Sequence, residues 1–149
     1  MQILIVGPLV LSRSFSVRNP LTSYNWSTGF SYDAFGNMVM SGGDKSLAEL
    51  IANTKKGVLV TRTWYIRLVD PQSVLLTGLT RDGTFYIENG EIKYPVKNFR
   101  FNESPVIMLN NIEELGKPMR IAGDESNFAM MIPPMKLRDF TFTSLSDAV

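Results

Sequence analysis

The sequence lacks the two side chains on which most hydrolytic centres depend. Its 149 residues contain no histidine and no cysteine. Zinc sites draw their ligands mainly from imidazole and thiolate groups, and serine or cysteine nucleophiles depend on an imidazole base in the common triads and dyads. No lysine has a serine three positions before it, so a Ser-x-x-Lys arrangement is absent too. We therefore expect no catalytic centre of these classes in the chain.

One short segment, Gly78–Thr84, comes close to the spacing of a phosphate-binding loop but carries a threonine where the lysine would stand. Such a loop leads from a strand into a helix, whose N–H groups meet the anion. Here the segment leads into strand-like residues 85–87. We therefore interpret Arg81-Asp82-Gly83 as a hairpin turn between strands at Val74–Thr80 and Thr84–Glu88.

Basic and aromatic residues alternate in two places, at 62–67 and at 97–101. Sheet surfaces that stack nucleobases have this composition. The alternative is that the aromatic rings fill the core while the arginines pair with carboxylates or cover the sheet. The 15 basic and 14 acidic side chains leave a net charge of only +1. Because the chain as a whole has no basic excess, we expect no nucleic-acid partner.

Length and composition favour one domain over residues 1–149, with 44% hydrophobic and 19% charged residues. The apolar start, Met1–Leu11, is interrupted by Pro8 and is shorter than the roughly 20 residues that span a bilayer. We therefore expect a strand there and no membrane segment. The absence of cysteine is compatible with a reducing cytoplasm, where we place the protein. An abrupt start on a strand also suggests part of a longer chain.

Two short helices are marked by their first residues. The first opens with a capping box of Ser46 and Glu49 and is expected to stop at Gly57. The second opens with Ser104 as the cap and Pro105 at the first helical position. The predicted apolar faces are Leu47, Leu50 and Ile51 in the first helix, and Val106, Leu109 and Ile112 with Met108 and Leu115 in the second, which ends at Gly116.

The remaining elements are predicted to be strands. Asn89-Gly90 favours a type I′ turn, because both central residues need a positive φ, and this turn pairs Ile87 with Ile92 and Phe85 with Tyr94. Other expected segments are strands at Ile3–Leu11, Asn37–Met40, Val58–Val69, Val96–Asn102, Met119–Ala122, Phe128–Ile132 and 137–142, and a connection at Arg18–Phe35. The fold class is therefore α+β, predominantly antiparallel β-sheet, barrel- or sandwich-like, with two short helices.

Three phrases in the centre of the chain, LVTRTW, TGLTRDG and NFRFNES, carry a family resemblance, and SYNWSTGF and NMVMSGGDKSLAELI extend it upstream. They resemble the C-terminal domain of the TldD/PmbA family, once called modulator of DNA gyrase. The family comprises metal-dependent peptidases and their catalytically silent partner subunits. TGLTRDG and NFRFNES are closer to the silent PmbA/TldE-like branch.

The resemblance implies an activity that this chain does not carry alone. Active family members have an HExxxH helix and a cysteine ligand, and neither is present here. It implies a non-catalytic C-terminal domain or subunit of a zinc-dependent peptidase assembly that acts on unstructured peptides. Zinc is expected only in a partner, an HExxxH-bearing TldD-like subunit, and the alternative partner is a second copy. A different class remains open: a free-standing β-rich binding or scaffold module unrelated to proteolysis.

The resemblance also implies that the chain is the C-terminal part of a longer protein. Such a part is expected to expose an apolar patch where the rest would pack. Ile3, Ile5 and Leu9 on the first strand are the candidates for that patch. Replacement of Ile5 by lysine would then weaken self-association with little loss of folding.

Five charged residues inside the family-like phrases are the candidate contacts for a peptide or a partner subunit. Two interpretations compete for them. In the structural one, Asp82 caps its own turn, Arg81 and Arg100 are solvated or pair across strands, and Glu103 belongs to the start of the second helix. In the functional one, all five line a surface that holds an extended peptide or a partner. The five residues are Arg62, Arg81, Asp82, Arg100 and Glu103.

Overall fold

Strands make up most of the structure. A computed structural model describes residues 2–5, 30–32, 38–122 and 129–147. Two helices lie in these ranges, α1 (Leu47–Ala52) and α2 (Pro105–Asn110). The strands of the described ranges are β1 (Gln2–Ile5), β2 (Phe30–Tyr32), β3 (Met38–Met40), β4 (Lys56–Asp70), β5 (Leu75–Glu88), β6 (Glu91–Pro95), β7 (Asn98–Glu103), β8 (Ile112–Leu115), β9 (Met119–Ala122), β10 (Ala129–Ile132), β11 (Met135–Leu137) and β12 (Phe142–Ser146).

The strands form two mixed sheets. The larger has the order β12-β7-β5-β4-β1-β11-β8, with β6 paired to β5, and the smaller has the order β2-β3-β10-β9. Most pairs are antiparallel, but β1 runs parallel to β4 and β3 runs parallel to β10. The predicted α+β class with mostly antiparallel sheet is confirmed, and the sheets do not close into a barrel. Strand β2 falls inside the stretch 18–35 that was expected to be a connection.

The first strand is a central strand of the core. β1 lies between β4 and β11, and both faces are buried. Ile3 and Ile5 pack against a cluster that includes Met40, whereas Leu4 packs on the opposite side with Leu50 of α1. The predicted exposed patch is therefore wrong for Ile3 and Ile5, which are 1% and 2% exposed. Both neighbours of β1 are distant in sequence, so the pattern of β1 alone could not show this. The third candidate, at position 9, lies outside the described residues.

The capping box of the first helix is confirmed. Ser46 Oγ accepts from the backbone N–H of Glu49, and the Glu49 carboxylate accepts from the backbone N–H of Ser46. The helix ends at Ala52 with Asn53 as its C-cap, so the predicted stop at Gly57 is wrong. Gly57 belongs to β4, where an added Cβ would lie 2.5 Å from the carbonyl oxygen of residue 2. Close approach of the neighbouring strand, not helix termination, is the reason for that glycine.

The long pair β4–β5 corrects the predicted turn at Arg81-Asp82-Gly83. The two segments expected on either side of it are one continuous strand, β5. Asp82 and Gly83 have φ values of 60° and 139°, and the register against β4 shifts between Val60 and Arg62. These are the properties of a β-bulge, in which an extra residue bends the strand without ending its ladder. A positive φ is shared by bulges and turns, so the local sequence did not distinguish them.

The turn at Asn89-Gly90 is confirmed, with φ values of 52° and 81°. Ile87 pairs with Ile92 as predicted, but the next pair is Tyr86 with Tyr94, so the predicted pairing of position 85 with Tyr94 is wrong. A register shift between residues 86 and 87 is the cause. Strand β6 is exposed along its whole length, and the two tyrosine rings stack with centroids 5.2 Å apart.

The second helix is shorter than predicted. Ser104 is the N-cap and Pro105 stands in the first turn, as expected. The Ser104 hydroxyl, however, donates to the backbone carbonyl of Ser73 instead of capping the helix. The predicted apolar stripe is wrong beyond Asn110, because Ile112–Leu115 is strand β8. Val106 is exposed, whereas Met108 is buried in the core. Neither helix of the described chain is long and apolar enough to cross a membrane.

The predicted closing strand at 137–142 is also wrong. Leu137 ends β11, and Phe142 begins β12. Asp139 between them has a φ of 53°, which breaks the extended conformation. The two strands lie in opposite halves of the larger sheet, β11 between β1 and β8 and β12 next to β7. The alternating apolar residues Leu137, Phe140 and Phe142 therefore belong to the end of β11, the connection that follows it and the start of β12, and not to one strand.

We expect Ile5→Ala to lower the free energy of unfolding by about 2 to 5 kcal/mol, because it opens a cavity where the core is buried on both sides. Ile92→Ala is the matched control: Ile92 is 46% exposed on β6, and its loss should cost no more than about 0.5 kcal/mol. Urea unfolding measures both. Equal losses, or a loss of self-association in Ile5→Ala without a loss of stability, would contradict the core position of Ile5.

The turn between β4 and β5 is organised by Asp70. Its carboxylate accepts from the hydroxyl of Ser73 at 2.5 Å and from the backbone N–H groups of Gln72 and Ser73 at 3.1 and 3.2 Å. The hydrogen bond from the Ser73 hydroxyl, followed by the two backbone bonds, lowers the pKa of Asp70 below its usual range. The charged carboxylate therefore stabilises the turn.

The pKa of Asp70 is lower in the folded than in the unfolded chain. The charged carboxylate therefore contributes its full stabilisation of the fold at pH values above the unfolded-state pKa of about 3.9. That contribution is lost as the pH falls through the folded-state pKa. We expect Asp70→Asn to lower the melting temperature near neutral pH and to reduce the further loss between pH 6 and pH 2. Thermal unfolding across that range measures both effects. A variant whose profile runs parallel to that of the wild type would show that this carboxylate does not contribute.

Candidate functional site

The predicted site residues lie on three neighbouring strands, and the register decides which of them share a face. Arg62 on β4 pairs with Arg81 on β5, and Leu79 on β5 pairs with Arg100 on β7. Directly paired residues of an antiparallel ladder project to the same face, as do residues two apart on one strand. Arg62, Arg81 and Arg100 therefore lie on one face of the larger sheet.

Two further side chains join this face. Trp64 on β4 pairs with Leu79, and Arg67 pairs with Thr77, which lies two residues from Leu79 on β5. The register shift between positions 64 and 67 keeps both residues on the same face despite their odd spacing. We call this surface the arginine face, and its members are Arg62, Trp64, Arg67, Arg81 and Arg100.

The bulge places one carboxylate between two of the arginines. Asp82 Oδ2 accepts from Arg62 Nη1 at 2.5 Å, and Asp82 Oδ1 lies 3.6 Å from Arg81 Nε. The Asp82 side chain is 49% exposed, and those of Arg62 and Arg81 are about one third exposed. Ion pairs this open to water contribute at most about 1 kcal/mol. Their main effect is to orient the two guanidinium groups.

Aromatic rings extend the contacts along β4. The guanidinium carbon of Arg81 lies 4.2 Å from the centroid of the Trp64 ring, and that of Arg67 lies 4.4 Å from the centroid of the Tyr65 ring. The two rings are 5.6 Å apart. Each such cation–π contact contributes about 0.5–1 kcal/mol at an exposed site. The arginines are thus held in place by rings as well as by Asp82.

Arg100 completes the face from β7. Its Nη1 donates to Thr77 Oγ1 at 3.4 Å, and its side chain is exposed. Arg67, on the other side of Thr77, donates to the carbonyl of Ile66. Within the described part of the chain, neither Arg67 nor Arg100 forms an ion pair. By the same register rule Asp70, which pairs with Leu75 at the end of β4, also projects to this face. Four arginines against the two carboxylates of Asp70 and Asp82 leave the face with an excess of positive charge.

Glu103 lies on the opposite, buried face. It pairs with Leu76 in the β5–β7 ladder and is 7% exposed. Its Oε1 accepts from the backbone N–H of Ser104 at 2.9 Å, and its Oε2 accepts from that of Thr141 at 3.0 Å. Glu103 thus ties the start of α2 to the segment before β12. The structure brings four of the five candidates together and places this one apart; a peptide or partner contact for any of them stays a prediction.

Buried polar side chains hold the bend beneath the arginine face. Thr84 Oγ1 donates to Thr80 Oγ1 at 3.0 Å, and Thr80 Oγ1 donates to Asn98 Oδ1 at 3.1 Å. Thr80 Oγ1 also accepts from the backbone N–H of Phe99 at 2.9 Å. These bonds join both arms of β5 to the start of β7. Sequence reasoning missed this cluster, because two strand threonines and an asparagine at the start of another strand carry no signal of mutual contact.

The chain matches a known family over most of its length. The sequence model of the PmbA/TldA metallopeptidase C-terminal domain matches residues 27–144. The chain belongs to this family. The match runs from before β2 into β12, includes every strand that contributes to the arginine face, and confirms the resemblance found in the three central phrases.

Solved structures show the same fold. TldE from Thermococcus kodakarensis is 20% identical, with a TM-score of 0.61 over 73% of this chain and 24% of its own. A protein of Bacteroides thetaiotaomicron named as a modulator of DNA gyrase is 25% identical, with a TM-score of 0.60 over 74% of this chain and 23% of its own. A Thermotoga maritima protein of the same name is 20% identical, with a TM-score of 0.57 over 68% and 22%. The comparison with curated proteins gives no match.

This PmbA/TldA C-terminal domain spans about a quarter of the length of those three solved chains, between 22% and 24%. The family description names a metallopeptidase, so the residues present must be tested against a metal site. The sequence offers no imidazole and no thiolate. Among the described residues, no three carboxylates are grouped to hold an ion. The donor set of this domain does not fit a zinc centre, and no step through zinc is assigned to it.

We expect Glu103→Gln to lower the free energy of unfolding by about 1–3 kcal/mol, because an amide NH₂ replaces one of two acceptors and leaves the backbone N–H of Ser104 or of Thr141 without its acceptor. Glu91→Gln is the control: Glu91 is exposed on β6 and pairs with Lys93, so the effect should be much smaller. Denaturant unfolding measures both. An unchanged midpoint in Glu103→Gln would show that this carboxylate does not anchor the fold.

Proposed function

We propose that this chain is a non-catalytic C-terminal domain or subunit of a zinc-dependent peptidase assembly of the TldD/PmbA type, acting on unstructured peptides. The observation that carries the proposal is family membership over residues 27–144 in a chain without histidine or cysteine. The zinc and the HExxxH motif would then belong to a partner subunit. The work of this chain is to build the scaffold, to contact that partner and to hold peptide. The proposed compartment is the cytoplasm.

The scaffold role is supported by the way the sheet is built. Strand β1 is buried on both faces between β4 and β11, and β4 pairs with β5 from the turn at Asp70 to Lys56. These long-range ladders make a rigid platform, whose exposed residues include all of β6, Arg67 and Arg100 of the arginine face, and Val106 and Ile107 of α2. A rigid platform can position a partner or a peptide without chemistry of its own.

Peptide holding is supported by the strand edges. Among the described strands, β12 is at the end of the larger sheet and β6 pairs only with β5. An extended peptide can add to such an edge through main-chain hydrogen bonds, while neighbouring side chains select its sequence. Leu145 on β12 is 62% exposed and provides an apolar contact at that edge. The partner in this proposal is an HExxxH-bearing subunit or a second copy of the chain.

The deciding experiment is a gentle native pull-down of the tagged chain from its source cells, with mass spectrometry of the proteins that co-purify. We expect an HExxxH-bearing homologue in stoichiometric amount. The purified pair should cleave an unstructured peptide and lose that activity on chelation of zinc, whereas this chain alone should show none. An unrelated tagged domain of similar size is the control for non-specific capture.

Two results would overturn the proposal. Recovery of the chain alone, or with unrelated proteins, would favour a free-standing β-rich binding module. Peptide hydrolysis by the purified chain alone would show a catalytic centre that the residue types do not predict. Mass determination of the purified complex distinguishes a heteromeric partner from a second copy.

A further inference from the structure

The arginine face concentrates charge in a chain that is almost neutral overall. Four guanidinium groups, from Arg62, Arg67, Arg81 and Arg100, come to one face from three strands, whereas the net charge of all 149 residues is +1. Asp82 contacts two of them. The other two, Arg67 and Arg100, form no ion pair within the described residues.

Arg67 and Arg100 stand on either side of Thr77. Arg67 is paired with Thr77 across the β4–β5 ladder, and Arg100 donates to its hydroxyl from β7. Adjacent strands are about 4.8 Å apart, so the backbones that carry these two arginines are roughly 10 Å apart. Both side chains are exposed. The two guanidinium groups therefore flank a central strand and can contact the same bound chain.

The chemistry of this pair is suited to carboxylates. A guanidinium group presents a planar fork that donates two parallel hydrogen bonds to one carboxylate. In an extended chain, side chains two residues apart lie on one face about 6.6–6.8 Å from each other. We propose that the arginine face binds an extended acidic polypeptide segment, whose carboxylates pair with Arg67 and Arg100. This deepens the peptide-holding role proposed above and rests on it.

A polypeptide fits the face better than a single-stranded nucleic acid does. Bases bind to such sheets by stacking on open aromatic rings. Here a face of the Trp64 ring is covered by Arg81, and Arg67 lies over the Tyr65 ring. The rings therefore serve to fix the guanidinium groups. An acidic peptide needs only those groups, with Trp64 and Tyr65 as apolar flanks.

The test titrates the full chain into a fluorescein-labelled peptide of alternating glutamate and serine, at low salt, and follows anisotropy. A peptide of the same length with glutamine for glutamate is the neutral control, and a labelled oligouridylate of similar charge is the nucleic-acid arm. We expect the acidic peptide to bind at least about tenfold more tightly than either. Binding should weaken as salt is added, because exposed charges are screened.

A matched pair of double variants locates the site. Arg67→Gln/Arg100→Gln should weaken acidic-peptide binding about tenfold or more. Lys55→Gln/Lys117→Gln removes the same charge from exposed positions outside the arginine face and should stay within about twofold of wild type. Arg67→Lys/Arg100→Lys keeps the charge but loses the fork, so it should fall between the two. Circular dichroism and melting temperature check that each variant is folded.

Each contrary result overturns the inference. Equal binding of the acidic and neutral peptides to the wild type would show that charge is not recognised. This comparison uses the wild-type chain only, so it does not depend on the folding of any variant. Equal losses in the arginine and lysine pairs would show only a general charge effect. Tighter binding of the oligouridylate would assign the face to nucleic acid. Because the chain is tested alone, this inference can fail while an HExxxH partner is still recovered.

Discussion

The architecture depends on one bent strand. β5 pairs with β4 along its length on one side, and on the other side it pairs first with β7 and then with β6. A straight β5 would present one continuous edge to a single partner. The bulge at Asp82-Gly83 bends β5, so that β7 pairs with the part before the bulge and β6 with the part after it. The buried threonine cluster of Thr80 and Thr84 with Asn98 satisfies the polar groups inside that bend. Without these hydrogen bonds, the buried hydroxyls of Thr80 and Thr84 would be left unpaired, which would lower the stability of the fold.

The same bend accounts for the candidate site. It puts Asp82 beside Arg62 and Arg81, and the ladder on one side of the bend brings Arg100 onto the same face. On the opposite face of the sheet, Leu76 and Phe101 are buried and contribute to the packing of the core. The sheet thus separates a buried face, which supports the fold, from a face on which Arg67 and Arg100 are exposed. Binding through this surface is the function we propose for a chain that offers neither histidine nor cysteine.

Local sequence determined the features whose physics is local. The capping box at Ser46 and Glu49 needs only residues three apart, and the turn at Asn89-Gly90 needs only two residues that tolerate a positive φ. Both are confirmed, as are the α+β class and the family. The lack of histidine and cysteine limits the chemistry of the chain whatever its fold. The five site candidates came from family-like phrases, and only the register showed that Glu103 faces away from the others.

Tertiary structure decided every feature that depends on a partner distant in sequence. The apolar sequence of β1 is compatible with an exposed patch at Ile3 and Ile5. Pairing of β1 with β4 and β11 buries Ile3, Leu4 and Ile5 instead. Gly57 resembles a helix stop until the neighbouring strand is seen against it. Asp82 suggests a turn, because bulges and turns share the same backbone conformation. The sequence alone determined composition, caps and tight turns; pairing between strands determined which side chains meet, since that is a property of register and not of neighbouring residues.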